Sequence, residues 1–378
     1  MEGNIVNYIT QIRGVSYKPS DLHDSLNENS IILLRANNID EGKINFEDVV
    51  YVDKSKVSET QILRENDILI CASSGSKNLV GKAASFNGNI ECTFGAFCKV
   101  IRPRNILGSY LSAFFQSKYY RFHISQFANG ANINNIKNEH INSFSIPERT
   151  LEEQKEISYK VFSLNRVIEK YNRELELLDE LVKARFVEMF GGINDSVVYP
   201  YKKLNEITII ISGGTPKRDK PEYWEDGIIP WVKTTELKNN KITYVEEHIT
   251  QKGLSESSAK LVPQGTVLIA MYGQGKTRGM TAYLNVEAST NQACACILPS
   301  EKINSVFLWK YLEFSYVKLR SLAKGAGQPN LNVNMIKEFS VLVPPLNLQE
   351  EYASFVEEVD KSRLLSNHSL LLLKSIIF

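Results

Sequence analysis

The segment Ala270-Met-Tyr-Gly-Gln-Gly275-Lys276-Thr277 carries the sharpest chemical signal in the chain. It follows an apolar run and ends in Gly-Lys-Thr, the order in which a phosphate-binding loop presents its lysine and hydroxyl. Such a loop needs a glycine where Ala270 stands, and it must open a helix whose amides face the phosphates. The residues that follow, Arg278 to Val286, alternate as a strand does. Nucleotide hydrolysis at Lys276 and Thr277 is therefore kept only as an alternative. Glu153-Gln-Lys155 has the Glu-x-Lys form of a nuclease but no Asp upstream at useful spacing, and it reads as the first turn of a capped helix. Cys294-Ala-Cys296 puts two thiols on one strand face, where buried structural cysteine is commoner than a metal site. His23, His123, His140, His248 and His368 are scattered, and none has a cysteine or acid at ligand spacing. The glycine-rich loop and proline-paired motif of a methyltransferase are missing too. The expectation is no catalytic residue, no metal and no cofactor bound by this chain.

What remains is a set of loops rich in the residue types that touch DNA. In the second half these are Thr215, Lys217 and Arg218 in Ser212-Gly-Gly-Thr-Pro-Lys-Arg218, then Lys233, Thr234 and Thr235 after Trp231. Tyr272, Gln274, Lys276, Thr277 and Arg278 cluster on one loop, and Asn291-Gln292 lies on another. In the first half Arg13, Lys18, Arg35, Ser74, Ser76 and Lys77 occupy the matching places. Arg and Lys pair with guanine O6 and N7, Asn and Gln with adenine N6 and N7, and Ser, Thr and backbone amides hold phosphates. Any one of these alone reads first as a solvated loop residue, and Trp224 and Trp231 read first as core.

The elements that must position these loops come twice. Shifted by 195 to 199 residues, the chain falls back on itself. Leu34-Arg-Ala-Asn-Asn-Ile39 returns as Val232-Lys-Thr-Thr-Glu-Leu237, and Asp67-Ile-Leu-Ile70 as Thr266-Val-Leu-Ile269. Ala128-Asn-Gly-Ala131 returns as Ala323-Lys-Gly-Ala326, and Gln154 as Gln349. Each half has a globule, 1–150 and then 191–345, with short strand-like runs at Ile68–Cys71, Thr266–Met271 and Ala293–Leu298. Helical patches are expected over Tyr110–Phe122 and Val306–Leu322. A long helix closes each half, over 151–190 and 346–378. Thr150 with Glu153 forms a capping box for the first, and Asn347 with Glu350 a weaker one for the second.

Ile157, Val161, Leu164, Ile168, Tyr171, Leu175, Leu178 and Val182 are separated by alternate gaps of four and three, a heptad seam. Tyr352, Val356, Val359, Leu370, Leu373 and Ile377 repeat it in register, interrupted at Arg363 and Ser366. A seam of this width asks for one partner helix, and the other copy is the obvious one; the spacing leaves parallel and antiparallel pairing open. The second helix lacks a counterpart of Lys183 to Phe190, about one heptad.

The chain has 378 residues, 43% hydrophobic and 23% charged, which suits a globular protein of two or three domains. Forty-four Lys and Arg face 43 Asp and Glu, so no polybasic arm or acidic tail dominates. The long helices are net acidic and leave the globules mildly basic, a weak polyanion signal. No apolar run reaches the ~18 residues of a membrane span. Met-Glu-Gly-Asn offers no signal-peptide features, and the five cysteines are an odd number without framework spacing. Reduced thiols and a cytoplasmic location are the expectation.

Over essentially its whole length the sequence resembles the specificity subunits of type I restriction–modification systems. The resemblance rests on Ile211-Ser-Gly-Gly-Thr-Pro216, Pro221-Glu-Tyr-Trp224, Ile229-Pro-Trp231 with Thr234-Thr-Glu-Leu237, and Leu268 to Gly279. Asn291-Gln-Ala293, Gln328 to Asn332 and Pro344 to Gln349 add to it, while the first half matches more loosely. The resemblance implies an α+β chain of two tandem, pseudo-repeated α/β target-recognition domains, each followed by a long helix. The two helices would pair as an antiparallel coiled coil and set an unread spacer. A helix of ~37 residues, about 55 Å, spans more than one ~34 Å turn of DNA. It also implies double-stranded DNA as ligand, with two methyltransferase subunits using S-adenosylmethionine and two motor–nuclease subunits using ATP and Mg as partners. A protein-binding scaffold built on the same coiled coil, with no DNA preference, is the alternative kept beside it.

Overall fold

In this computed structural model the residues described are all but 1, 41, 77, 78, 89, 129–134, 194–197, 274, 324–329 and 378, with the side chains of 128, 376 and 377 also excepted. The chain divides into two units, residues 1–172 with 367–378, and residues 173–366.

The first unit begins with β1 (Glu2–Asn4), β2 (Ile9–Arg13), β3 (Leu22–His23), β4 (Ser30–Leu34), β5 (Ile39–Asp40), β6 (Lys43–Ile44) and β7 (Val50–Asp53). It continues with β8 (Ile68–Cys71), β9 (Ala83–Ser85), β10 (Cys92–Phe94) and β11 (Cys98–Pro103). Helices α1 (Gly108–Gln116), α2 (Lys118–Ala128) and α3 (Asn138–Asn142) lead to β12 (Ser145–Pro147) and the long α4 (Leu151–Phe190). The second unit holds β13 (Tyr201–Lys203), α5 (Leu204–Ile207), β14 (Ile210–Ser212), β15 (Ile229–Val232), β16 (Asn240–Ile242) and β17 (His248–Ile249). Then come α6 (Gln251–Ser255), β18 (Leu261–Val262), β19 (Val267–Ala270), β20 (Thr281–Leu284), β21 (Ala288–Thr290) and β22 (Cys294–Ile297). Helices α7 (Ser305–Phe314), α8 (Tyr316–Ser321) and α9 (Val333–Lys337), strand β23 (Ser340–Leu342) and helix α10 (Leu346–Ile377) complete the order.

The two globules repeat one topology. The sheet order β2-β11-β8-β9-β6 of the first is matched by β14-β22-β19-β20-β16 in the second, and β10-β4-β7 by β21-β15-β17. The β4/β10 and β15/β21 pairs are parallel, as are β6/β9 and β16/β20. Antiparallel pairs β1/β12 and β13/β23 bring the two ends of each globule together.

Why the central strands read as unbroken apolar runs is visible in their packing. Ile68 and Ile70 of β8 enter a core with Leu111, Phe115, Tyr120 and Ile124 of α1 and α2, while Leu69 and Cys71 face a second core with Leu34, Phe94 and Val100. In the second unit Val267 and Ile269 meet Phe307 and Tyr311, and Leu268 and Ala270 meet Val232 and Cys296. A strand buried on both faces has no polar side to alternate. All five cysteines are free and buried in these cores. Burial raises their thiol pKa values, to about 11 for Cys71 and Cys296 and about 12 for Cys92 and Cys98, so they stay protonated and inert.

Each expected helical patch is two helices. Ser117 separates α1 from α2: its Oγ donates to Phe114 O at 2.6 Å and accepts from Tyr120 N at 3.2 Å, ending one helix and capping the next. Ser315 divides α7 from α8 in the same place. Ahead of α4, Thr150 and Glu153 exchange bonds, Thr150 N to Glu153 Oε2 at 2.7 Å and Glu153 N to Thr150 Oγ1 at 3.3 Å. The expected Asn347–Glu350 box is not how α10 starts. It begins at Leu346 directly after Pro344 and Pro345, and Gln349 Nε2 donates to Pro344 O at 2.7 Å.

Within the second unit the last part of α4 pairs with α10, and the pairing is antiparallel. Arg185 meets Glu351 at 2.8 Å, Tyr352 Oη donates to Val182 O at 3.1 Å, Arg363 meets Asp179 at 2.5 Å, and Ser366 Oγ donates to Glu174 at 3.0 Å. Both polar interruptions of the seam are thus answered by acids of α4. Val182, Tyr352, Val356 and Val359 are buried there, and Leu175 and Leu178 are half-buried. In the first unit Ile168 and Leu370 are buried, with Ile157, Val161, Leu164, Tyr171 and Leu373 half-buried. The side chain of Ile377 lies outside the described residues. Beyond the expected seam, Phe186 and Phe190 are fully buried against Phe307 and Tyr352. No helix of the described residues is long and apolar enough to cross a membrane.

Candidate nucleic-acid interface

In each unit one β-turn is the knot to which the loops singled out from the sequence are tied. In the first it joins β10 to β11. Gly95 N donates to Leu34 O at 2.9 Å, Val15 N to Phe94 O at 2.8 Å, Cys98 N to Gly95 O at 2.8 Å and Ala72 N to Phe97 O at 2.9 Å. In the second it joins β21 to β22. The matching bonds are Asn291 N to Val232 O at 3.0 Å, Gly214 N to Thr290 O at 2.9 Å, Cys294 N to Asn291 O at 3.1 Å and Met271 N to Ala293 O at 2.8 Å. The segments that follow β2 or β14, β4 or β15, and β8 or β19 are therefore brought together by backbone bonds in both units.

Two glycines allow that closeness. A Cβ on Gly14 would stand 2.1 Å from Gly95 O, and one on Gly213 would stand 2.3 Å from Thr290 O. Both positions fall at the end of the first sheet strand, where the chain runs against the turn.

In the second unit the structure gathers Thr215, Lys217, Arg218, Lys233, Thr234, Thr235, Tyr272, Lys276, Thr277 and Arg278 on segments tied to this turn; Gln274 lies outside the described residues. Thr215 Oγ1 donates to Gln292 Oε1. Lys217, Thr235, Tyr272 and Lys276 are exposed. The Arg218 guanidinium stacks over Trp224 at 3.8 Å and Trp231 at 4.7 Å, and it pairs with Glu247 at 2.6 Å. Lys233 pairs with the same carboxylate at 2.9 Å. Burial pushes the Glu247 carboxyl up, but Lys233 and Arg218 outweigh it and hold the group below the usual carboxylate range. The hydrogen bond to Glu247 in turn raises Lys233. Arg218 is thereby fixed in orientation, a preorganised fork beside the loop. Trp231 is core, its Nε1 donating to Gly214 O at 3.0 Å, and Trp224 is half-buried with Nε1 on Lys217 O at 3.0 Å.

The loop of Lys276 is a tight hairpin from β19 into β20. Gly279 N donates to Ala270 O at 2.8 Å, and Gly279 adopts φ +85°. Helix α8 backs it through the main chain, Tyr316 Oη donating to Lys276 O at 2.7 Å and Arg320 Nη1 to Arg278 O at 2.8 Å. It leads into strand β20 and not into a helix, so it lacks the helix that a phosphate loop opens, and the phosphate-loop reading of Lys276 and Thr277 falls on that ground. Among the described residues no cluster of three or more His, Cys, Asp or Glu could hold a metal ion.

In the first unit Arg13, Lys18 and Ser76 are exposed and Ser74 is half-buried, accepting from Ser76 N at 3.1 Å. Lys77 lies outside the described residues. Arg35 is half-buried, its Nη2 donating to Asp48 O at 2.7 Å and meeting Asp48 Oδ2 at 3.1 Å, which ties it to the loop of Asp48. Sequence reasoning missed Phe97, whose ring is 71% exposed at the turn. The repeat could have found it: Phe97 falls where Ala293 stands in the second copy, beside Gln292.

Comparison with known proteins agrees with the geometry. The model of the type I restriction modification DNA specificity domain matches residues 18–178 and again 198–374. The chain is 31% identical over 374 residues to the StySPI specificity subunit of Salmonella potsdam, covering 93% of this chain and 80% of that one. It is 29% identical over 371 residues to the EcoKI specificity subunit of Escherichia coli strain K12, with the same coverage. The solved S subunit of a type I system from M. genitalium shares the fold at a TM-score of 0.57 and 16% identity, covering 100% of this chain and 93% of that one. From the doubled domain, the doubled turn and these relatives, the chain belongs to the DNA specificity subunits of type I restriction–modification systems, which recognise DNA sequence and leave catalysis to partner subunits.

Proposed function

We propose that each unit reads one half of a bipartite double-stranded DNA site. Residues 1–150 form one target-recognition domain and 191–345 the other, and the helices over 151–190 and 346–378 set the unread spacer. The observation that carries this reading is the duplicated turn: one hydrogen-bonded frame holds unlike side chains, Gly95-Ala-Phe97 in one copy and Asn291-Gln-Ala293 in the other. A frame kept while its tips differ suits two readers of different base sequences. Arg13, Lys18, Ser74 and Ser76 serve the first reader. Thr215, Lys217, Arg218, Lys233, Thr234, Thr235, Tyr272, Lys276, Thr277 and Arg278 serve the second. The full complex adds two methyltransferase subunits, which use S-adenosylmethionine to methylate adenine, and two motor–nuclease subunits that need ATP and Mg, all in the cytoplasm.

The test is Lys276→Ala combined with Arg278→Ala in the assembled complex, read by binding to duplexes that vary one half-site at a time. Recognition of one half-site weakens, by roughly 1–3 kcal/mol for each side chain that pairs with a base through two hydrogen bonds, and preference at the other half is unchanged. Equal loss of preference at both halves contradicts two independent readers.

A further inference from the structure

The apex of the first unit's turn offers nothing to hydrogen-bond with. Gly95, Ala96 and Phe97 carry no side-chain donor or acceptor, and the Phe97 ring is 71% exposed. Its backbone is fixed on every side. Phe97 O accepts from Ala72 N at 2.9 Å and from Ser73 N at 3.0 Å, Ala96 N donates to Val15 O at 2.9 Å, and Gly95 N to Leu34 O at 2.9 Å. The ring is therefore held out by a rigid support, so little ordering is left to oppose a contact. The same support ties in the segments that carry exposed Arg13, Lys18 and Ser76. A large apolar side chain presented among groups suited to phosphates and base edges faces the same ligand they do. In the second unit the corresponding tip is Asn291-Gln292-Ala293, whose amides suit adenine, whereas a phenyl ring can read only the apolar feature of the major groove, the thymine methyl.

We propose that Phe97 is a specificity-determining residue of the first domain, its ring packing on the C5-methyl group of a thymine in that domain's half-site. The inference rests on the two-reader function above and goes further by naming the residue and the chemical group it reads. Phe97→Ala leaves the turn intact, because the bonds that hold it are made by the backbone. Phe97→Leu keeps apolar bulk.

The experiment selects bound duplexes from a randomised pool with the chain in complex with its co-expressed partner subunits, for the wild type and both variants. The wild type selects a split motif; Phe97→Ala loses the preference for thymine at one position of one half, and Phe97→Leu retains part of it. Remaking the selected duplex with deoxyuridine at that position deletes the methyl group alone. Wild-type binding then falls about fourfold, the worth of one buried methyl, while Phe97→Ala binding does not change. Selection of an unchanged motif by Phe97→Ala, or a uniform loss across both halves, overturns the assignment. So does loss of the co-purifying subunits with the motif unchanged, which would make Phe97 a protein contact. A wild-type chain that selects no motif overturns the function reading itself and the inference with it.

Discussion

Lys99 on β11 is buried with two neutral acceptors, Gln11 Oε1 at 3.0 Å and Asn138 Oδ1 at 2.6 Å, and among the described residues it forms no ion pair with a carboxylate. Burial lowers its pKa from 10.5 to about 8. Between those values the unfolded chain holds a proton that the folded chain has released, so this group makes stability rise with pH through that window. The buried cysteines of the same unit, raised to about 11 and 12, pull the other way above pH 9 in both chains, so the effect is a difference: from pH 8 to 10.5 the wild type gains about 3 kcal/mol relative to Lys99→Met. Urea unfolding followed by far-UV circular dichroism from pH 8 to 10.5 checks this; all three tryptophans lie in the second unit, so their fluorescence is the internal control. A variant whose first unit changes in stability with pH just as the wild type does contradicts it. At this scale the sequence showed residue types and hid their partners. Arg218 and Lys233 were legible as bases, but Glu247, which holds both, is remote in sequence, and Asp48 likewise holds Arg35. Phe97 was passed over because exposure belongs to the fold and not to the residue type, and only its place opposite Ala293 in the repeat pointed to it.

The two glutamines that recur at the starts of the long helices have one task. Gln154 Nε2 donates to Arg149 O at 2.9 Å while its Oε1 accepts from Leu107 N at 2.9 Å, just ahead of α1. Gln349 Nε2 donates to Pro344 O at 2.7 Å while its Oε1 accepts from Asn304 N at 2.8 Å, just ahead of α7. Each stitches the start of a long helix to the helix pair of its own globule. Gln349 is the more deeply buried, so Gln349→Ala leaves an amide without a partner and costs about 1–3 kcal/mol, more than Gln154→Ala. Denaturant midpoints read from Trp309, on α7, measure it; equal midpoints for wild type and Gln349→Ala contradict it. The heptad seam was legible because burial on a helix repeats at 3.5 residues. Its direction was not, because spacing has no sign. Phe186 and Phe190 escaped because steps of four from Val182 leave the seam and enter the globule. The breaks at Ser117 and Ser315 escaped because one serine between two apolar helical stretches looks, in sequence, like part of a single helix, although Ser117 caps the helix that follows it.

At the scale of the whole molecule the repeat was visible as a constant offset, while its meaning lay in bonds that leave no trace in side-chain identity. Gly95-Ala-Phe97 and Asn291-Gln-Ala293 share no residue type at matching positions, yet four backbone hydrogen bonds place them alike. The central claim, two separable readers on one chain, is tested most directly by mapping methylated adenines in host genomes that carry the wild-type chain, no chain, or a chain with residues 191–345 exchanged for those of a relative. Two separable readers give a split motif that vanishes with the gene and changes in one half only on exchange. A continuous motif, or an exchange that alters both halves together, would contradict it.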